Sequence, residues 1–315
     1  MSDEGQSGRD ERPALGVVLP IGPTPGEPSR LLAHADALID AIDPHVSDLW
    51  VTDHLQWDDQ PTLEAWTTLS YAAARWPHLN VGTVVLGQSY RNPGLLSKMA
   101  ATLQVLSGGR LIFGIGAGWK QDEYDAFAYP YPSGGTRVDE LRETLELLTA
   151  SWDQPGPVSY DGAHYRLTDA HLVPRPDPRP PILVGGGGDK TLRLVARHAD
   201  WWNLPDCSAH EYAARLTELR QACTEVERDP ADIRLGWFGR LAVAATMDEA
   251  LGLSGGRWTP DNALVGTRDD VAAQVAEFTQ HDVDHFAVEV LVADPETPAA
   301  AAEAISAIGA LFRSR

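Results

Sequence analysis

Three short stretches of this 315-residue chain carry the residue types from which chemistry is built. In "VTDHL", Asp53 and His54 stand together just past an apolar run. An imidazole exchanges protons near neutral pH, and a neighbouring carboxylate can orient or tune it. The same pair also reads as a hydrogen-bonded structural histidine, and both readings stand at this point. In "RLIFGIGAGWK", residues 110–120, a strand-like run leads straight into Gly114, Gly116 and Gly118. In "VGGGGDKTLRLVA", Gly185, Gly186, Gly187 and Gly188 open a helix whose first amides lack intrahelical partners. Such a helix start can hold a phosphate, with Lys190 or Arg193 near enough in sequence to assist.

The glycine ladder at 114–118 does not fit a dinucleotide fingerprint. GxGxxG needs glycine at 119, where Trp119 stands, and no acidic residue closes a following strand about 20 residues on. A tight turn and a ligand-facing strand end remain. The run at 185–188 is not a P-loop, because GxxxxGK[ST] is absent. His281 and His285 are spaced i, i+4 like zinc ligands, but "QHDVDHF" crosses from a helix end into a strand, so no metal site is expected. Of the ten tryptophans, Trp50, Trp66 and Trp76 read as core. Trp57, Trp119, Trp201 and Trp202 lie near expected strand ends and can wall an aromatic pocket, with Trp57 and Trp119 beside the substrate.

The elements that must position these residues alternate along the chain. Strand patterns at "ALGVVLP", "DLWVTDH", "LNVGTVVLG", "RLIFGIG", "PPILVGGGG", "DWWNL", "IRLGWFGRLAVAA" and "DHFAVEVL" are separated by helical periodicities, among them 29–42, "PGLLSKMAATLQVLS" opening on Pro93, and a charged helix from 137. Eight strands alternating with helices predict a single α/β domain, a (β/α)8 TIM barrel with catalytic groups at the C-terminal strand ends. Two stretches interrupt the alternation. Residues 119–136 read as a long active-site lid, and 153–179 as a short hairpin plus return segment inserted before the fifth strand. The expected organisation is a disordered acidic tail at 1–12 and one barrel over 13–315.

Composition narrows the partners. A formal charge of −20 argues against nucleic acid, and no run approaches the roughly 18 apolar residues of a membrane span. The polar, acidic start lacks the basic and apolar regions of a signal peptide, and Cys207 and Cys223 sit in no CxxC pattern. These features predict a cytoplasmic protein with reduced thiols, a small-molecule substrate and no membrane partner; a homodimer is compatible with them.

In order, "VTDHL", "NVGTVVLGQSYRNPGLLSKMAATLQVLSGGRLIFGIGAGWKQDEY", "RVDELRETLELL", "VSYDGAHYRL" and "PPILVGGGGDKTLRLVARHADWWN" resemble the luciferase-like monooxygenase superfamily, over about residues 14–292. Within it the chain is similar to the deazaflavin (coenzyme F420) dependent oxidoreductases of actinobacteria. The resemblance implies a barrel with an insertion segment and a flavin-type cofactor across its C-terminal mouth, lined by Asp53, His54, Gly116, Ala117, Gly118 and Gly185 to Gly188. It also implies a non-prolyl cis peptide on the third strand, at Val84-Val85, backing the ring. The activity it implies is hydride transfer between deazaflavin C5 and a small organic substrate, with His54 exchanging the proton and Asp53 binding the ring or orienting the histidine. An FMN-dependent monooxygenase and a non-catalytic cofactor-binding barrel are the alternatives. In related sugar-phosphate dehydrogenases an acidic residue follows the glycine ladder; Trp119 in that place implies a less polar pocket.

Overall fold

The computed structural model describes residues 12–19, 28–293 and 298–313. All but Arg12 of the expected acidic tail lies outside the described residues. The strands are β1 (Ala14–Val18), β2 (Asp48–Val51), β3 (Asn80–Thr83), β4 (Leu86–Gly87), β5 (Leu111–Gly116), β6 (Val158–Asp161), β7 (Arg166–Ala170), β8 (Ile182–Gly185), β9 (Trp201–Pro205), β10 (Arg234–Val243), β11 (Leu264–Gly266) and β12 (His285–Val290). The helices are α1 (Pro28–Ile42), α2 (Ala65–Arg75), α3 (Pro93–Ser107), α4 (Gln121–Ala126), α5 (Gly134–Asp153), α6 (Asp189–His198), α7 (Ala209–Glu225), α8 (Met247–Gly252), α9 (Arg268–Thr279) and α10 (Pro298–Ile308).

Eight parallel strands close a ring in the order β1, β2, β3, β5, β8, β9, β10, β12 and back to β1. This is the predicted TIM barrel. The peptide between Val84 and Val85 is cis, as the resemblance implied, and beyond it β4 resumes pairing with β5. Period-2 alternation sorts the side chains. On β10, Trp237 and Leu241 point outward into the layer between strands and helices. Phe238 points inward to join Val18, Trp50, Val84, Ile112, Leu183, Trp201 and Ala287 in the barrel interior.

Helix α3 shows how local chemistry sets an element. Asn92 caps it by accepting from the amides of Gly94 and Leu95, Pro93 takes the first position, and Gly108 ends it in the left-handed region at φ 69°. The hairpin β6–β7 is antiparallel, as expected for the insertion. Its turn is fixed to α5 by buried Glu143, which accepts hydrogen bonds from the amides of Ala163, His164 and Tyr165.

The stretch 119–136 is not a plain loop. It contains α4, with Asp122 and Glu123 in its first turn, where carboxylates favour a helix start. Helix α5 begins at Gly134 rather than at 137, because Ser133 caps it by accepting from the amide of Thr136. The sequence pattern also did not single out β11, a three-residue strand beside the C-terminal end of β10, nor the helices α8 and α10. Trp201 and Trp202 begin β9 rather than end it, so they lie buried at the strand's N-terminal side and do not wall the mouth.

Candidate active site at the barrel mouth

His54 stands just beyond the C-terminal end of β2, at the face where barrels gather reactive groups. Its partner is a residue sequence reasoning missed. Glu123 on α4, 1 % exposed, places both carboxylate oxygens 3.2 Å from His54 Nδ1. The same carboxylate accepts from the Leu55 amide at 2.8 Å, the Gln56 amide at 3.1 Å and the Tyr90 hydroxyl at 2.9 Å. Burial opposes ionisation of Glu123, but the hydrogen bonds from His54, Gln56 and Tyr90 outweigh it and hold the carboxyl below its ordinary value. Tyr90 is pushed the other way, by burial and by the Glu123 charge, and stays protonated as a donor.

With every other group around it a donor, the carboxylate fixes the tautomer of His54. Nδ1 carries the hydrogen and donates to Glu123, which leaves Nε2 as the basic nitrogen of the neutral ring. The ring is partly exposed and packs edge-on against Trp57 at 5.0 Å and Trp119 at 5.8 Å between centroids, so both expected pocket residues meet at the histidine. Trp119 is 65 % exposed, and its carbonyl accepts from the Tyr131 hydroxyl at 2.8 Å. Lys120 lies 5.1 Å from the centre of the Trp57 ring and pairs with Asp122.

Asp53 does not orient His54. Its buried carboxylate accepts from the Gly87 amide at 2.9 Å and from both terminal nitrogens of Arg91, at 2.7 and 3.0 Å. Burial disfavours the Arg91 charge, but Asp53 and Glu64 outweigh it and raise its pKa. Glu64 in turn caps α2 through the amides of Trp66 and Thr67. Asp53 therefore ties the exit of β2 to β4 and the start of α2.

The glycines answer to protein neighbours. A Cβ at Gly116 would approach Val85 Cγ2 to 2.9 Å and one at Gly185 would approach Val85 Cγ1 to 3.0 Å, so both glycines make room for the residue after the cis peptide. Gly118, at φ 76°, leaves space for the Tyr124 hydroxyl, and Ala117 packs against the core layer. Gly186 and Gly187 link β8 to α6, and Gly188 takes the N-cap position with no side-chain cap. Lys190 reaches to 3.9 Å from Asp139, and Arg193 is exposed on α6. His281 lies in the turn after α9, whereas His285 is buried on β12 with Nε2 committed to Asp48 at 3.0 Å.

The luciferase-like monooxygenase profile matches residues 21–258. The chain belongs to this family. Among curated relatives it is 30 % identical, over 49 % of this chain and 47 % of theirs, to an F420-dependent glucose-6-phosphate dehydrogenase of Amycolatopsis mediterranei. It is 31 % identical, over 61 % of this chain and 56 % of theirs, to a phthiodiolone/phenolphthiodiolone dimycocerosates ketoreductase of a Mycobacterium species. The chain thus spans about half the length of the curated relatives it matches. Among solved structures, an F420-dependent secondary alcohol dehydrogenase superposes with a TM-score of 0.81 at 18 % identity, covering 94 % of this chain and 99 % of that one. A monooxygenase from Streptomyces bottropensis gives 0.77 at 21 % identity, covering 94 % and 98 %. At these identities the superpositions establish the shared luciferase-like fold. Among the described residues, no cluster of metal-ligating side chains occurs and no helix is long and apolar enough to cross a membrane.

Proposed function

We propose that this chain is a coenzyme F420-dependent oxidoreductase that exchanges a hydride with a small organic alcohol or carbonyl, His54 handling the accompanying proton. The observation that carries the reading is the Glu123–His54 pair, which presents a basic Nε2 at the barrel mouth with its tautomer fixed by a saturated carboxylate. The similarity to relatives named as F420-dependent supports the cofactor.

The residues fit a phosphate-bearing cofactor. The N-terminus of α6 has no side-chain cap, and a Cβ built on Gly188 would find its nearest neighbour only at 3.8 Å, so open backbone amides are available to an anion there. Gly187 and Gly188 would hold the phosphate, since the Gly186 amide already donates to the Asn203 carbonyl at 3.0 Å, while Asp53, Val84, Val85, Gly116, Ala117, Gly118 and Gly185 would line the ring. Bound there, the deazaflavin supplies hydride acceptance or donation. The protein's part is orientation and the proton. As an alcohol carbon gives up its hydride, the hydroxyl proton passes to His54 Nε2; in the reverse direction the imidazolium returns that proton to the carbonyl oxygen. Trp57 and Trp119 shield the pair from water on the apolar side of the mouth. The free, buried Cys207 and Cys223 support a cytoplasmic setting.

Titration of the cofactor-free protein with F420 and with FMN, followed by fluorescence quenching, tests the reading. Tight binding of F420 is expected. Submicromolar binding of FMN with none of F420 would transfer the assignment to the oxygen-using branch of the family.

A further inference from the structure

The far side of the mouth, formed by β9, β10 and β12, is charged. Arg240 stands two residues beyond the inward-facing Phe238, and its register partner Glu289 two residues beyond the inward-facing Ala287. By the same alternation, both project inward at the C-terminal end of the barrel. Arg240 Nη1 donates to both oxygens of Asp206, at 2.8 and 2.9 Å, and Nη2 lies 3.1 Å from Glu289 Oε2. The guanidinium also stacks 4.4 Å from the centre of the Trp258 ring, with Arg257 5.1 Å from that ring. Only 17 % of the Arg240 side chain is exposed, against 33 % of Asp206 and 37 % of Glu289.

We infer that Asp206 and Glu289 cage Arg240 so that the mouth rejects anionic substrates and accepts uncharged ones that donate hydrogen bonds. An arginine in a ligand site ordinarily engages phosphate or carboxylate with its paired nitrogens. Here both terminal nitrogens are occupied by the protein's own carboxylates. Around Arg240 itself the more exposed groups are those carboxylates, two negative charges around one positive one, with the exposed Arg257 a second cation held at the Trp258 ring. A phosphate entering beside them would meet acceptors instead of donors, whereas hydroxyl groups find partners in Asp206 and Glu289. The inference rests on the proposed function insofar as it takes the mouth as the substrate site, and it names the class of substrate admitted.

Binding of glucose 6-phosphate, followed by its phosphorus resonance without cofactor or turnover, tests the cage. Wild-type protein, D206N/E289Q and D206N/E289Q/R240Q are compared, and F420 affinity is measured separately in each. The double variant keeps the side-chain shapes while removing both negative charges, and it is expected to bind the phosphate ester roughly ten- to a hundredfold more tightly than wild type. The triple variant should lose that gain. If D206N/E289Q does not fold, E289Q alone should give a smaller gain of the same sign. Wild-type binding as tight as the variant's, or a gain that survives R240Q, overturns the inference. Failure of F420 to bind any of the proteins would instead strike the proposed function and leave the cage intact.

Discussion

A histidine–carboxylate pair stands at each end of the barrel. At the mouth, His54 Nδ1 meets Glu123 at 3.2 Å; at the floor, His285 Nε2 meets Asp48 at 3.0 Å. Both carboxyls lie below their ordinary values. For Asp48 burial works against this, and His285, Ser47 and Asn80 together outweigh it. The surroundings differ. His54 is 20 % exposed between two tryptophans at the rim, and its Nε2 has no hydrogen-bond partner among the described residues. His285 is 1 % exposed and wedged between Trp50 and Trp201, at 5.3 and 5.2 Å. The same two residue types can do chemistry at the C-terminal end of the strands and serve only as a plug at the N-terminal end, because reagents reach one imidazole and not the other.

The sharpest way to break this contrast is at the floor. Asp48→Ala leaves His285, Ser47 and Asn80 without their shared acceptor and should lower unfolding stability by about 3–5 kcal/mol, read from urea midpoints. A loss below 1 kcal/mol would mean that the floor pair is not structural. At the mouth the balance should reverse. His54→Ala is expected to lower kcat/KM roughly a hundred- to ten-thousandfold while cofactor affinity changes little and stability falls by only about 1–2 kcal/mol, since Glu123 keeps three donors. Full activity in that variant would remove His54 from the proton-transfer role. Glu123→Gln should cost about 1–3 kcal/mol of stability at neutral pH, because the amide nitrogen meets donors where the carboxylate met acceptor needs.

That cost should depend on pH in a set direction. Glu123 has a folded value lowered from 4.5, so its contribution is complete above that value and is lost as pH falls through the lowered one. The stability gap between wild type and Glu123→Gln should therefore narrow on acidification, and a gap that does not shrink as pH falls below 4.5 would contradict the assignment. Tyr90→Phe should give the smallest effect, about 1 kcal/mol, because Glu123 keeps three other donors.

The barrel itself was legible because period-2 apolar runs and helical stripes alternate eight times, and His54 was legible because it follows a strand pattern directly. Glu123 was not. It lies 69 residues from His54, and the Tyr- and Pro-containing stretch around it reads as a loop. The available signal was the acidic pair Asp122–Glu123 just after the glycine ladder, where a helix can start. Arg91 escaped notice because nothing local shows that its guanidinium reaches Asp53 across 38 residues. Asp53 stands beside His54 in the sequence, and that adjacency suggests a contact the structure does not make, because the Asp53 carboxylate turns to Gly87 and Arg91. Trp201 and Trp202 do lie at a strand end, but at the N-terminal one of β9, away from the mouth, and the composition of "DWWNL" does not distinguish the strand's start from its finish.

Glu123 has a further consequence for how the mouth assembles. One side chain fastens the exit of β2, the turn carrying Tyr90 and the first turn of α4. Releasing any of these leaves a buried charge short of donors, so the three segments have little to gain by opening separately. This part of the mouth should come together, and come apart, as one cooperative unit, with the amides of Leu55 and Gln56 exchanging their hydrogens in a single shared event.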